Sequence, residues 1–276
     1  MSIKAVLMDM DGTLLGKSQV AVSMCNMKAI QAALRKGVHI IPCTGRVYNM
    51  MPPQLLSQEG IRYYVTCHGA RVYDCVNDET LYEDVIPAEH ASQLMRLLEN
   101  KGLYNEIAAN NTIYFEKSVT QPFDMSVVPV HHIWYLKDEC YTAIERPSEY
   151  FAKHGVSVEK MNIYGIPEDM QQSVYDALNA TGYIKHTRLG AGPNLEFSSR
   201  TLDKLRATDV VLKKLGISYE ETLAIGDSSS DFEIIKACGI GVAMGNAPDN
   251  IKAVADYVTD INTENGLAHA FEKYVL

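Results

Sequence analysis

No apolar run in this 276-residue chain approaches the length that spans a membrane. Nothing at the N-terminus has the form of a secretory leader, because Lys4 and Asp9 flank too short an apolar stretch. Positive charge is scarce as well. With 25 Lys and Arg against 34 Asp and Glu, the formal net charge is −9, which argues against a nucleic acid or an anionic membrane as the partner. The cysteines at 25, 43, 67, 75, 140 and 238 show no CxxC or CxxH spacing. They read as scattered reduced thiols that pack as small apolar groups. Neither an internal repeat nor a low-complexity segment is present. These absences leave a soluble cytoplasmic protein, monomer or homodimer, long for one core and comfortable for two.

What is present begins with Ala5-Val-Leu-Met-Asp-Met-Asp-Gly-Thr-Leu-Leu15. Ala5 to Met8 has the pattern of a short buried strand. It stops at Asp9, a second carboxylate follows at Asp11, and Gly12 permits a tight change of direction. Two acids at the mouth of an apolar strand are costly to desolvate without a positive neighbour. In open α/β sheets, ligands bind beyond the carboxyl ends of the strands, where this pair falls. An acidic turn without function has the same composition, so the pair alone decides nothing.

Further along, strand and helix patterns alternate. A helix is expected over Ser23 to Lys36, a strand over Val38 to Cys43, a short helix from Pro52-Pro53 and a strand over Tyr63 to Cys67. This alternation points to a parallel sheet. From about Asp84 the texture changes to a separate module of helices and strand-like runs, for which Gly190 to Pro193 would be the return hinge. Alternation then resumes with strands at Asn194 to Phe197 and Thr222 to Ile225 and a helix over Asp203 to Leu215. The expected architecture is therefore α/β: a doubly wound, Rossmann-like parallel-sheet core from residues 1–83 and 190–276, with an α/β module inserted at 84–189.

Three strand ends carry polar clusters: Asp9 with Asp11, Thr44-Gly45-Arg46, and Asp227 with Asp231. Lys204 lies near the start of the helix that follows the insertion. Such carboxylates offer oxygen ligands to a hard cation such as Mg²⁺, which favours a few carboxylates plus substrate phosphate. Thr44 and Lys204 would hold the remaining anionic oxygens. One carboxylate can then attack phosphorus while a second moves protons. Arg46 can fork onto a phosphate or pair with a carboxylate of the insertion. Each residue also has a plainer role: Lys204 as a solvated helix lysine, Asp231 as a helix cap, Cys43 as a buried strand residue. His131 and His132 would face opposite ways on a strand and make no metal pair.

Asp9-Met-Asp-Gly-Thr13, Thr44-Gly-Arg46, Lys204 and Gly226-Asp227-Ser-Ser-Ser-Asp231 resemble the four motifs of the haloacid dehalogenase-like phosphatases. Gly241-Val-Ala-Met-Gly-Asn-Ala247, with Lys252, Ala255-Asp256 and Asn265-Gly266, is similar to the tail of the Cof-type branch. The resemblance implies Asp9 as nucleophile and Mg²⁺ ligand, and Asp11 as general acid/base with its carbonyl as a second ligand. Thr44 and Lys204 become the phosphate-holding pair, Asp227 a further ligand and Asp231 an acid at the metal. Met10, Gly12, Gly45, Arg46 and Asn246 fall in the loops expected around phosphate. The insertion corresponds to a large α/β cap that selects the substrate.

Three positions depart from that family's pattern, which has Asn at Ser230, Asn at His68 and Gly at Leu205. Ser230 would touch the metal's surroundings and His68 the substrate or the hinge, while Leu205 is a packing change. The expected function is a Mg²⁺-dependent phosphatase acting on a small phosphorylated metabolite, a sugar phosphate or a phosphorylated cofactor, through an aspartyl-phosphate. A phosphomutase on the same core, a receiver-type signalling module and a phosphometabolite sensor without turnover are the rival readings.

Overall fold

Four apolar residues in a row, Ala5–Met8, form a strand buried on both faces, as the centre of a covered parallel sheet requires. The first part of the chain supplies β1 (Ala5–Met8), α1 (Met24–Arg35), β2 (His39–Pro42), α2 (Pro53–Leu56), β3 (Tyr63–Thr66), β4 (Arg71–Asp74) and β5 (Glu79–Glu83). Next come α3 (Ala88–Leu98), β6 (Tyr104–Ala109), β7 (Thr112–Glu116), α4 (Ile133–Lys137) and β8 (Thr142–Ile144). These are followed by α5 (Pro147–His154), β9 (Lys160–Tyr164), α6 (Glu168–Ala180), β10 (Ile184–Arg188) and β11 (Leu195–Ser199). The last part supplies α7 (Lys204–Leu215), β12 (Thr222–Gly226), α8 (Phe232–Ala237), β13 (Ile240–Ala243), α9 (Asp249–Lys252), β14 (Tyr257–Val258) and α10 (Gly266–Tyr274). This computed structural model describes residues 2–16, 20–120, 126, 128, 132–138, 140–188 and 194–276. The chain divides into two units: Met1–Arg46, Met51–Tyr82 and Asp203–Leu276 form one, and Val47–Met50 with Glu83–Leu202 the other.

The first unit holds a five-stranded sheet in the order β14-β13-β12-β1-β2, parallel throughout. β1 pairs with β2 on one side and with β12 on the other, so the chain reverses its direction of travel across the sheet at β1. That makes the carboxyl end of β1 a topological switch point, and Asp9 stands there. Local sequence sets the helix ends. Ser23 caps α1 by accepting from the Asn26 amide at 3.1 Å. Asp203 caps α7 by accepting from the amides of Leu205 and Arg206, and the left-handed Gly216 ends it.

The strand–helix alternation ends at β3, whose turn leads straight into β4. A single parallel bridge, Cys43 with Val65, joins β3 to the end of β2, but β3 and β4 pair antiparallel in a three-stranded β3-β4-β5 sheet. The turn at His68-Gly69-Ala70 is far too short for the crossover that a parallel neighbour needs.

The second unit carries a six-stranded sheet in the order β10-β11-β9-β6-β7-β8. Its apolar core draws Leu94 and Met95 from α3, Phe151 from α5, Val174 and Leu178 from α6, and Ile107, Met161, Ile163 and Phe197 from the strands. β11, expected in the core sheet, pairs antiparallel with both β10 and β9. The second unit runs to Leu202 and the first resumes at Asp203. An apolar run beside a short connection is a hairpin partner for the strand before it, and that proximity outweighs resemblance to a core strand. The expected hinge, Gly190 to Pro193, lies outside the described residues. Among those described, no helix is long and apolar enough to cross a membrane.

Candidate active site

Three segments of the first unit meet around Asp9. The Asp9 amide donates to the Ile225 carbonyl of β12 at 3.0 Å, which continues the β1–β12 ladder one residue into the loop. The chain then turns at Gly12, with φ +84° and the Asp227 carboxylate where a Cβ would stand. Only glycine lets that carboxylate pack against the loop. Asp227 is fixed from two directions. Thr13 Oγ1 donates to its Oδ1 at 2.9 Å, and Asn246 Nδ2 reaches its Oδ2 at 3.4 Å while donating to the Gly12 carbonyl at 2.8 Å.

Beyond β12, Ser228 and Asp231 form a capping box. Asp231 Oδ2 accepts from the amides of Asp227 (3.3 Å) and Ser228 (3.0 Å) and from the Ser228 hydroxyl (2.9 Å). Its other oxygen accepts from Lys204 Nζ at 2.6 Å. Gly226 leaves room for this carboxylate, which occupies the space a Cβ would need. Lys204 is the first residue of α7 and is buried, with Nζ also 3.4 Å from Asp9 Oδ1. Gly69 admits the start of that helix, since a Cβ on it would lie 2.8 Å from Lys204 Cα.

Oxygens of Asp9, Asp227 and Asp231 lie within 4.8 Å of one another. So much negative charge in a buried place shifts protons. Burial, with Asp231, Asp227 and Asp11 adding to it, holds the Asp9 carboxyl well above the usual carboxylate range despite Lys204. Burial likewise pushes Asp227 up to about 6, with the Asp231 and Asp11 charges adding and the Thr13 hydrogen bond and Lys204 opposing. Burial alone would lower Lys204, but Asp231 and Asp9 outweigh it, and the ammonium stays charged above the ordinary lysine value. The Cys43 thiol, pushed up to about 12 by burial, is an inert packing group.

Thr44 is fully buried at the end of β2, and its hydroxyl accepts from the Arg46 amide at 3.2 Å. Arg46 lies against the first carboxylate loop. Its guanidinium forks onto Asp11, with Nε to Oδ2 at 2.8 Å and a second nitrogen to Oδ1 at 2.5 Å. The fork satisfies a buried arginine with both oxygens of one carboxylate. Met10 is buried and contributes its carbonyl, which accepts from the amides of Thr13 (3.2 Å) and Leu15 (2.9 Å). Gly45 packs beneath the His68 imidazole. His68 itself is a turn residue in the left-handed region, φ 57° and ψ 28°. Ser230 bonds the Ser228 hydroxyl at 2.8 Å and so sits one bond removed from Asp231.

Asp231 takes on more than one expected role. It lies within the acidic cluster, but both of its oxygens are already bonded inside the protein. It stiffens the Asp227 turn and anchors Lys204; it stands at the start of α8, but its side chain makes no capping bond to that helix. Two residues were not singled out for a role in the sequence, Thr13 and Ser228. Thr13 stands within Asp9-Met-Asp-Gly-Thr13, and its hydroxyl was the available signal. His131 lies outside the described residues. His132 bonds Glu106 Oε2 and the Tyr164 hydroxyl, both at 2.8 Å, so it belongs to a buried network of the second unit.

Residues 6–271 match the haloacid dehalogenase-like hydrolase family. Among curated relatives, the 5-amino-6-(5-phospho-D-ribitylamino)uracil phosphatase YcsE of Bacillus subtilis (strain 168) is 30% identical, over 99% of this chain and 96% of its own length. A haloacid dehalogenase-like hydrolase from Bacteroides thetaiotaomicron superposes with a TM-score of 0.83 at 26% identity, covering 99% of both chains. A sugar phosphatase of subclass IIB of the same superfamily superposes with a TM-score of 0.76 at 26% identity, covering 98% of both chains.

Proposed function

The chain belongs to the haloacid dehalogenase-like hydrolases and is a phosphatase, and from that premise we propose that it hydrolyses a small phosphorylated metabolite with Mg²⁺ through an aspartyl-phosphate on Asp9. The observation that carries the reading is the buried Asp9 carboxylate, held beside Lys204 and next to Asp227 and Asp231. The donor set fits Mg²⁺. All its members are hard oxygens, and the raised Asp9 and Asp227 carboxyls mark a place short of positive charge. Asp9, Asp227 and the Asp11 carbonyl would hold the ion, with Asp231 supporting them from behind. Bound there, Mg²⁺ would neutralise charge on the transferring phosphoryl group and on the attacking carboxylate.

The remaining work falls to the chain's own groups. One Asp9 oxygen attacks phosphorus, forming an O–P bond as the ester oxygen leaves with its electron pair. Asp11, released from Arg46 and protonated from solvent, gives that oxygen the proton. It then takes one from the water that cleaves the aspartyl-phosphate, returning Asp9 and free phosphate. Lys204 and Thr44 hold the non-bridging oxygens and keep the group in line. The named activities of the relatives, on a ribitylaminouracil phosphate and on sugar phosphates, support a sugar phosphate or a phosphorylated cofactor as substrate. The inserted unit supplies the selecting surface. Free cysteines fit a reducing cytoplasm.

The test is acid-quenched intact mass during turnover of p-nitrophenyl phosphate, with Mg²⁺ and with EDTA. Asp11→Asn should accumulate a phosphate adduct on Asp9, because the good leaving group departs unaided and hydrolysis lacks its base. Asp9→Asn should show none. An adduct elsewhere, or full turnover in EDTA, would refute the proposal.

A further inference from the structure

We propose that His68 is a positioning residue for Asp11, acting through the Thr44–Arg46 loop. Cys67 and His68 both adopt positive φ, 48° and 57°, a conformation that residues with side chains seldom hold outside functional turns. That geometry aims two consecutive amides at the loop. Cys67 donates to the Arg46 carbonyl at 3.0 Å, and His68 donates to the Thr44 carbonyl at 2.8 Å. The imidazole fills the third position, its Nε2 lying where Gly45 would carry a Cβ.

Thr44, Gly45 and Arg46 are therefore each held by one contact from the 67–68 turn. The Arg46 side chain is 3% exposed, with both contacting nitrogens on Asp11. Asp11 is 33% exposed at its side chain, and the fork holds both of its carboxylate oxygens. A carboxylate that must reach the leaving oxygen gains from a fixed starting place, because small misplacements cost large factors in rate. Asn, the residue the resemblance implies at position 68, tolerates the same backbone conformation but is too short to press on Gly45. The ring is thus an addition of this chain to the turn.

The inference rests on the reading of Asp11 as general acid, and its test separates the two. His68→Asn and His68→Gly both accept positive φ, so the turn is preserved while the ring is lost. The readout is kcat/KM on phenyl phosphate and on p-nitrophenyl phosphate, two esters of similar shape. The first needs its leaving oxygen protonated far more than the second. The expected result is a loss of roughly tenfold on phenyl phosphate and under about threefold on p-nitrophenyl phosphate, a fraction of the ~10²–10⁴ that acid–base catalysis supplies. Arg46→Lys, which cannot fork, should reproduce the same differential. Equal losses on both esters, or no loss on either, would overturn the proposal. Wild-type protein inactive on both esters would sink the phosphatase reading instead. The relay would then be read by NMR from solvent exchange of the Arg46 Nε–H. That exchange should be slow in the wild type and faster in His68→Gly, and an unchanged rate would overturn the relay.

Discussion

Changing Asp227 to Asn should stabilise the metal-free protein, and only above mildly acid pH. The Asp227 carboxyl has an ordinary value of 3.8 and stands at about 6 in the fold. The folded state therefore holds this proton more tightly than the unfolded chain does. A group raised in this way contributes most at low pH, and its contribution is lost as pH rises from about 3.8 through about 6. At 1.36 kcal/mol for each pH unit between the two values, the ionised Asp227 destabilises the metal-free fold by about 3 kcal/mol at neutral pH. Asn keeps the shape, can still accept from Thr13, and carries no charge to repel Asp9 and Asp231. At about 2–4 °C per kcal/mol, the variant should melt about 6–12 °C above the wild type at pH 7 in EDTA, and at the wild-type temperature near pH 4. Scanning calorimetry from pH 4 to 8 reads both limits. Added Mg²⁺ should raise the wild-type melting temperature through selective binding to the fold and leave the variant nearly unmoved. A difference between the two proteins that does not change with pH, or a variant that melts lower at pH 7, would refute the argument.

Lys204→Met should destabilise the protein by about 3–5 kcal/mol at neutral pH, because it strands Asp231 and Asp9 without their shared cation. Adding Asp231→Asn should recover part of that stability in urea melts and none of the turnover. Strictly additive losses in both measurements would mean that the pair is not coupled. In the second unit, Glu106 is held below its usual range: burial alone would raise it, but the His132 charge and hydrogen bond and Lys160 prevail. Glu106→Leu should cost about 3–5 kcal/mol in urea unfolding, and a loss under about 1 kcal/mol would show that the buried pair is not contributing.

Most of the fold was readable because most of it is local. Ser23, Asp203 and Gly216 mark helix ends by capping chemistry that depends only on near neighbours. The apolar runs at β1 and β12 are continuous because both faces of each strand are covered. Reading failed where strand pairing is decided by the length of a connection rather than by the strand itself. The turn after the Tyr63–Thr66 run is legible, but the run itself does not name the antiparallel partner that follows it. The β11 run has the same ambiguity, and its apolar alternation serves the inserted sheet as well as it would serve the core.

The candidate site was legible as a set of residues but not as a set of bonds. Acids at three strand ends reveal that negative charge converges, whereas which acid meets which cation depends on side-chain reach and burial. Arg46 shows the difference. Its position suits a phosphate as well as a carboxylate, and the guanidinium settles on Asp11 because a buried fork needs two oxygens in one plane. Asp231 shows it again from the other side. It takes Lys204 with one oxygen and three donors of the Asp227 turn with the other, so both oxygens are bonded inside the protein. Asp9, 3.4 Å from Lys204 and held well above the usual carboxylate range, and Asp227, raised to about 6, keep a demand for positive charge. One carboxylate bonded at both oxygens and two raised ones beside it is the distribution on which the proposed cation site rests.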